Sequence, residues 1–341
     1  MRLSSENIFV ADFKKEEEDG LIKSLDKYTG INWVFLSNFA RKSQSSLIEV
    51  YRYFQYFYFP FKLFLNRGKI RNLISWQQFY GILFAFYSRL FKVKKRTRLV
   101  ILTFMYTPKK GLIGRLYRWF MHYSVSNDYV DHIVCFSEKE IAWYIEEFGF
   151  IPEKISFLPV AVRKMPHFDN TIASERYVFT AGYSGRDLDF VIRSLNNTSY
   201  RVVVADSHTK ELPADNVQIE ADAIGDKMFQ LMANSYVMIT PLKDKLKTAG
   251  QLMSLQAMQL GKPVICTNSA GMKPYIEDNY NGLFINNTKE DLLEALDKLY
   301  NDDNLYKKLS ANALKTYDNY SYSKFAERLS ELMINKYCIN L

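Results

Sequence analysis

Residues 248–284 read TAGQLMSLQAMQLGKPVICTNSAGMKPYIEDNYNGLF. Thr248, Ala249 and Gly250 open a helix with small residues, and Leu252, Leu255 and Met258 keep one apolar face through it. Gly261 stops the helix, and Val264, Ile265 and Cys266 follow as a short buried strand. A loop, a short helix and a strand reaching Phe284 complete the stretch. A helix start carries unpaired N–H groups and a partial positive charge. Where small residues leave it uncovered, it is a seat for a phosphate.

The same alternation continues on both sides. Strands are predicted at 177–182, 201–205, 217–220, 236–240, 263–267 and 283–285, and helices at 187–195, 225–233, 250–260, 289–299, 304–317 and 322–337. The first half has strands at 7–12, 32–36, 71–76, 99–105, 132–136 and 155–160. Its helices are 14–28, 81–91, 115–123 and 138–148, the last capped by Ser137. Residues 163–175 lack periodicity, contain Pro166 and read as a linker. Strands separated by helices form right-handed βαβ units and parallel sheets. The fold class is therefore α/β: two doubly wound, Rossmann-like domains, residues 1–165 and 170–318, facing across a cleft. Ligands are expected at the carboxyl ends of the strands.

The chain has 341 residues, 48% of them apolar, enough for two domains with their own cores. Cys135, Cys266 and Cys338 lie far apart, with no disulfide framework and no metal-ligand spacing. A reducing, cytoplasmic setting and no metal are expected. The N-terminus shows no apolar signal-peptide core, and no apolar run is long enough to span a bilayer. The net charge of +8 is unevenly placed: residues 50–127 hold 15 Lys or Arg and no acidic residue. Nine of the fourteen residues from Tyr51 to Phe64 are aromatic, interleaved with Arg52 and Lys62 and interrupted by Pro60. Such a segment attracts an anionic surface. Aromatic rings with Lys and Arg suit a membrane interface. The competing readings are a cationic helix face on an ordinary packed domain and a strand-binding groove for nucleic acid; no nucleic acid is expected as a partner.

Three constellations stand out. In Ala181-Gly182-Tyr183-Ser184-Gly185-Arg186-Asp187, glycines between a strand and a helix let a phosphate approach the backbone, and Arg186 offers two donors. The plain alternative is a βα turn with a solvated arginine, and the dinucleotide fingerprint G-x-G-x-x-G is absent. In the helix after Gly250, Gln256 is a polar residue on an otherwise apolar side, and sugar or ribose hydroxyls are plausible partners for it. Trp76-Gln77-Gln78 ends a strand of the first domain, where amides suit sugar hydroxyls or simply meet solvent.

Gly250 to Phe284, with GKPVICTNSAG and YIEDNYNGLFI, resembles the donor-binding core of retaining, nucleotide-sugar-dependent glycosyltransferases of the two-domain GT-B fold, the glycogen-synthase-like group 1. The likeness is good over 177–318 and weak before residue 130. It implies a retaining, metal-independent hexosyltransferase with no cofactor beyond its nucleoside diphosphate sugar substrate. Donor binding would fall to Gly182, Ser184, Gly185, Arg186, Thr248, Ala249, Gly250, Gln251, Leu252 and Gln256. Arg186 and Thr248 would be catalytic, and Trp76, Gln77 and Gln78 would meet the acceptor. The acceptor would be an oligosaccharide or lipid-linked glycan, held at the inner face of the plasma membrane through residues 50–127, in bacterial surface polysaccharide synthesis. The last helix, 322–338, would pack back on the first domain. Two motif glutamates of the family are replaced here by Thr248 and Gln256, and the glycine-rich loop after the first strand is replaced by Asp12-Phe13-Lys14-Lys15-Glu16. A catalytically degenerate nucleotide- or glycan-binding partner subunit is therefore the alternative reading.

Overall fold

The computed structural model describes residues 5–18, 20–39, 46–182, 184–206, 208–243 and 249–337. The chain divides into two compact units, Met1–Pro159 with Phe325–Leu341, and Val160–Lys324.

In the first unit, β1 (Asn7–Ala11), α1 (Leu21–Thr29), β2 (Val34–Ser37), α2 (Ser46–Leu65), β3 (Asn72–Ser75) and α3 (Gln78–Leu90) are followed by β4 (Arg98–Ile101), α4 (Gly111–Val125), β5 (His132–Cys135), α5 (Lys139–Phe148) and β6 (Ile155–Phe157). The strands form one parallel sheet in the order β2-β1-β3-β4-β5-β6, with Ile8 opposite Val34 on one side and Leu73 on the other. Every residue of β3 and β5 is buried, as expected of a parallel sheet covered on both faces. The helix expected over 14–28 is broken at Gly20, leaving a single 3₁₀ turn at Lys15–Glu17 before α1.

The aromatic stretch 51–64 lies inside α2. Its pattern explains why: Tyr56, Phe59 and Leu63 recur at helical spacing, and the Tyr56 and Phe59 rings pack on Tyr80 of α3 with centroids 5.5 and 5.2 Å away. Tertiary packing overrides the strand preference of aromatic residues and tolerates Pro60 within the helix.

In the second unit, β7 (Tyr177–Ala181), α6 (Leu188–Leu195), β8 (Arg201–Ala205), β9 (Val217–Ile219), α7 (Asp226–Asn234), β10 (Val237–Thr240) and α8 (Gln251–Gln259) lead to β11 (Val264–Thr267), β12 (Gly282–Ile285), α9 (Lys289–Asn301) and α10 (Asp303–Asp318). Its parallel sheet runs β12-β11-β10-β7-β8-β9. Residues 163–175 are tied down on this unit: Met165 N–H donates to Gln259 Oε1 at 3.0 Å, and Asn170 Nδ2 to the Leu260 carbonyl at 2.9 Å. The short helix expected between β11 and β12 is a run of turns around Met272 to Ile276.

The last helix, α11 (Tyr322–Tyr337), buries Phe325, Ala326, Leu329 and Met333. Phe325 meets the Trp76 ring edge-on at 5.3 Å and Phe136 at 6.4 Å, so this helix completes the first unit. Among the described residues, Cys135 and Cys266 are free, buried thiols; Cys338 lies outside them.

Candidate active site

In the second sheet the chain moves outward from β7 to β8 and β9, then returns to the other side of β7 with β10, β11 and β12. The reversal lies between β7 and β10, and the carboxyl ends of strands at such a reversal are where doubly wound sheets bind ligands. The loop after β7 carries Gly182 to Arg186, and the loop after β10 leads to Ala249 and Gly250.

Arg186 is only 8% exposed. Its Nη1 donates to the Ser184 carbonyl at 3.2 Å, while its buried Nε has no hydrogen-bond partner among the described residues. A Cβ on Gly182 would stand 3.4 Å from that Nε, on a backbone with φ of +101°, so glycine lets the guanidinium lie against the loop. Burial pulls the guanidinium below its ordinary range, and the thiol of Cys266, held up by its own burial, is the neighbouring ionisable group. Asp187 caps α6 by accepting from Phe190 N–H at 3.2 Å.

The other wall is the start of α8. Gly250 is its N-cap, with φ of +101° and no side-chain cap. A Cβ here would sit 2.8 Å from Thr240 Cγ2. Glycine thus allows the helix to start against β10 and puts no side chain of its own over the first N–H groups. Ala249 lies in the intermediate range of exposure. Gln251 is buried and donates to the Gly271 carbonyl at 3.4 Å. Leu252 departs from the expected apolar face: it is 52% exposed, whereas Ser254, Leu255, Ala257 and Met258 are buried. Gln256 sits one turn after Leu252 on the same side and is half-buried rather than buried. Thr248 lies outside the described residues.

The two loops form one body. Lys243 N–H donates to the Gly185 carbonyl at 3.0 Å, Asp187 N–H donates to the Pro241 carbonyl at 3.1 Å, and Arg186 bridges Leu242 in antiparallel fashion. Beneath them, Leu242 N–H donates to Thr267 Oγ1 at 2.8 Å, the Thr267 hydroxyl donates to Asn287 Oδ1 at 2.6 Å, and Asn287 Nδ2 donates back to the Leu242 carbonyl at 2.8 Å. Sequence reasoning missed Thr267 and Asn287. The available signal was a hydroxyl at the end of one apolar strand and an amide two residues beyond another, where polar residues close strand ends.

In the first unit the corresponding reversal lies between β1 and β3. Gln77 is engaged at both ends of its amide: Oε1 accepts from Phe79 N–H at 3.1 Å, capping α3, and Nε2 donates to Asp12 Oδ2 at 2.9 Å. Gln78 is buried, and its Oε1 accepts from Met105 N–H at 3.0 Å. Trp76 is half-buried among Phe9, Phe13 and Phe325. Asp12 was not singled out as a site residue from the sequence, although it directly follows β1 at the reversal.

Residues 197–316 match the family described as glycosyl transferases group 1. The likeness to the group 1 glycosyltransferases thus lies in the second unit. Among curated proteins, the alpha-1,3/1,6-mannosyltransferase ALG2 of Dictyostelium discoideum is 32% identical over 80 residues, which are 23% of this chain and 19% of that relative. The chain thus spans about a fifth of the length of the curated relative it matches. Among solved structures, Anabaena HepE in complex with UDP aligns at a TM-score of 0.65 and 12% identity, covering 97% of this chain and 100% of that one. WaaG, a glycosyltransferase involved in lipopolysaccharide biosynthesis, aligns at 0.62 and 16% identity, covering 95% and 98%. The fold is GT-B; β10 and α8 lie inside the matched segment, whereas β7 and the loop from Gly182 to Arg186 precede it.

Proposed function

We infer that the chain is a retaining glycosyltransferase that moves a hexosyl group from a nucleoside diphosphate sugar to a glycan acceptor. One observation carries the reading: Arg186 is buried at the β7–β10 reversal, its Nε without a hydrogen-bond partner and no carboxylate among the described residues acting on it, in a loop that packs on Ala249 just before α8, whose N-cap Gly250 offers no side chain. A buried cation without a counter-ion is costly unless a ligand supplies one. As the bond between the anomeric carbon and the phosphate oxygen breaks, negative charge grows on the leaving diphosphate. Arg186 and the N–H groups of Gln251 and Leu252 are preorganised to receive it. These donors do the work that a bound metal would otherwise do, so we assign no metal to the step. Gly182, Ser184 and Gly185 let the phosphates approach, and Gln256 is assigned to the ribose.

The likeness to HepE bound to UDP supports a uridine nucleotide among the first donors to try. The likeness to WaaG and the acid-free segment 50–127 support a lipid-linked acceptor, presented by the first unit at an anionic membrane surface during bacterial surface polysaccharide assembly, on the cytoplasmic side. At the β1–β3 reversal we assign Asp12 and Trp76 to the acceptor alongside Gln77, with Gln78 positioning the 103–105 turn. A second reading rests on Thr248 and Gln256 standing where the family has glutamates: a nucleotide- or glycan-binding partner subunit without turnover. Incubation with UDP-, GDP- and ADP-sugars, followed by assay of released nucleoside diphosphate, separates the two. Release supports the enzyme; nucleotide binding without release under any acceptor supports the partner subunit.

A further inference from the structure

An outward helix face on a folded domain is ordinarily polar. On α4 it is not. Leu112, Ile113, Leu116 and Trp119 are 58–73% exposed, and Tyr123 continues the row at helical spacing, stacked on Trp119 at 5.4 Å. The opposite face is the buried one, through Gly114, Met121, Ser124 and Val125. The apolar face outside is therefore additional to the one that holds the helix in the fold. Twelve of the nineteen large apolar side chains exposed among the described residues lie between Val50 and Trp119, the stretch without a single acidic residue. Scattered exposed apolar residues are normal, but a concentration of this kind marks an interaction surface.

The charges around this face narrow its occupant. Lys109, Lys110 and Arg115 are exposed beside it. An open groove of about 390 Å3 runs alongside, lined by Tyr106, Lys109, Arg115, Arg118 and Glu147. The one carboxylate there is already matched: Arg118 holds both Glu147 oxygens, at 2.6 and 3.0 Å, and His122 is 3.2 Å away. Lys109 is held over the Tyr117 ring at 4.7 Å, and neither it nor Arg115 has a carboxylate partner among the described residues. An apolar stripe edged by cations matches a bilayer of anionic lipids, with side chains at the acyl boundary and cations among the phosphates.

We propose that α4 is the membrane-seating element of this protein, with Leu112, Leu116 and Trp119 entering an anionic bilayer surface and the Lys109–Arg115 groove holding a lipid phosphate. The proposal deepens the membrane reading given above and rests on it. It also distinguishes two basic groups. The Lys92–Arg98 cluster lies at the amino end of β4, where Lys95 is paired with Asp131 at 2.8 Å, and α4 begins beyond its carboxyl end.

The test is sedimentation of the full chain with phosphatidylcholine vesicles, with and without phosphatidylglycerol. Leu112→Ser/Leu116→Ser, Lys109→Glu/Arg115→Glu and Lys94→Glu/Arg96→Glu are compared with wild type. The first two variants should lose about tenfold or more in binding to the anionic vesicles, and the third much less. Trp119 emission should shift to the blue on binding, and Trp119→Phe should remove the shift while keeping most of the binding. Wild-type binding that the α4 variants leave intact overturns the proposal and spares the membrane reading. Absence of wild-type binding to any vesicle overturns both. A concentration-dependent dimer that Leu112→Ser/Leu116→Ser converts to monomer, without vesicle binding, assigns the face to a second copy instead.

Discussion

Gly185 and Lys243 are joined by a backbone hydrogen bond of 3.0 Å, so the loop after β7 and the loop after β10 cannot move independently. Each contributes a different kind of positive charge, a guanidinium and a helix start. On the proposed function, a ligand with two phosphates would use both at once. The polar triangle of Leu242, Thr267 and Asn287 fixes this body to the ends of β10, β11 and β12.

Arg186 should be a stability cost without ligand. Arg186→Met should raise the apo unfolding free energy of the second unit by about 1 kcal/mol or more, because a buried charge without a carboxylate among the described residues is replaced by an apolar chain of similar length. Denaturant unfolding of both proteins without nucleotide measures it. A marked loss of stability would mean that Arg186 serves the fold.

Gly250 should not tolerate a methyl group. Its φ of +101° and the 2.8 Å approach of Thr240 Cγ2 predict that Gly250→Ala loses about 1–3 kcal/mol and displaces the start of α8. Nucleotide binding should fall with it. A variant of wild-type stability and affinity would show that the helix start is not the phosphate seat.

Lys262 supplies a pH test. It is 2% exposed, and burial alone pulls its ammonium from 10.5 down to about 8. The folded state disfavours the charged form, so the penalty is absent above about 10.5 and complete below about 8. Stability from this residue should rise as pH increases between those values, by roughly 3 kcal/mol at most. Lys262→Met should be more stable than wild type at pH 7, with the advantage shrinking toward pH 10. Equal unfolding midpoints at both pH values would contradict the buried-charge account.

Gln77 caps α3 through its amide oxygen. Gln77→Ala should destabilise the first unit by about 1 kcal/mol and release Asp12 from its 2.9 Å contact. Gln77→Glu keeps the cap but places a carboxylate against Asp12, and should cost more at neutral pH than at pH 4. Thermal unfolding at both pH values checks this.

Much of the architecture was legible because βαβ units alternate strongly. The strand 201–205 and the helix 322–337 stand where periodicity put them. What escaped depended on contacts distant in sequence. The aromatic run 51–64 reads as neither strand nor helix until Tyr80 is known to lie beneath Tyr56 and Phe59. Leu252 looked like core because it is apolar and spaced with Leu255, yet the helix turns that side outward. Gln77 and Gln78 were visible as amides at a strand end, but their partners Asp12 and Met105 come from other loops. Glycines and an arginine between strand and helix were visible around Arg186, but that its guanidinium is buried depends on packing from other elements.

The account stands most directly on one titration. UDP, GDP and ADP, each with its nucleoside, are titrated calorimetrically into wild type and Arg186→Ala. At least one diphosphate should bind wild type about tenfold or more tightly than its nucleoside, and that preference should largely vanish in Arg186→Ala while nucleoside affinity is kept. If no diphosphate binds, or if the preference survives the loss of Arg186, the reversal between β7 and β10 is not the donor site.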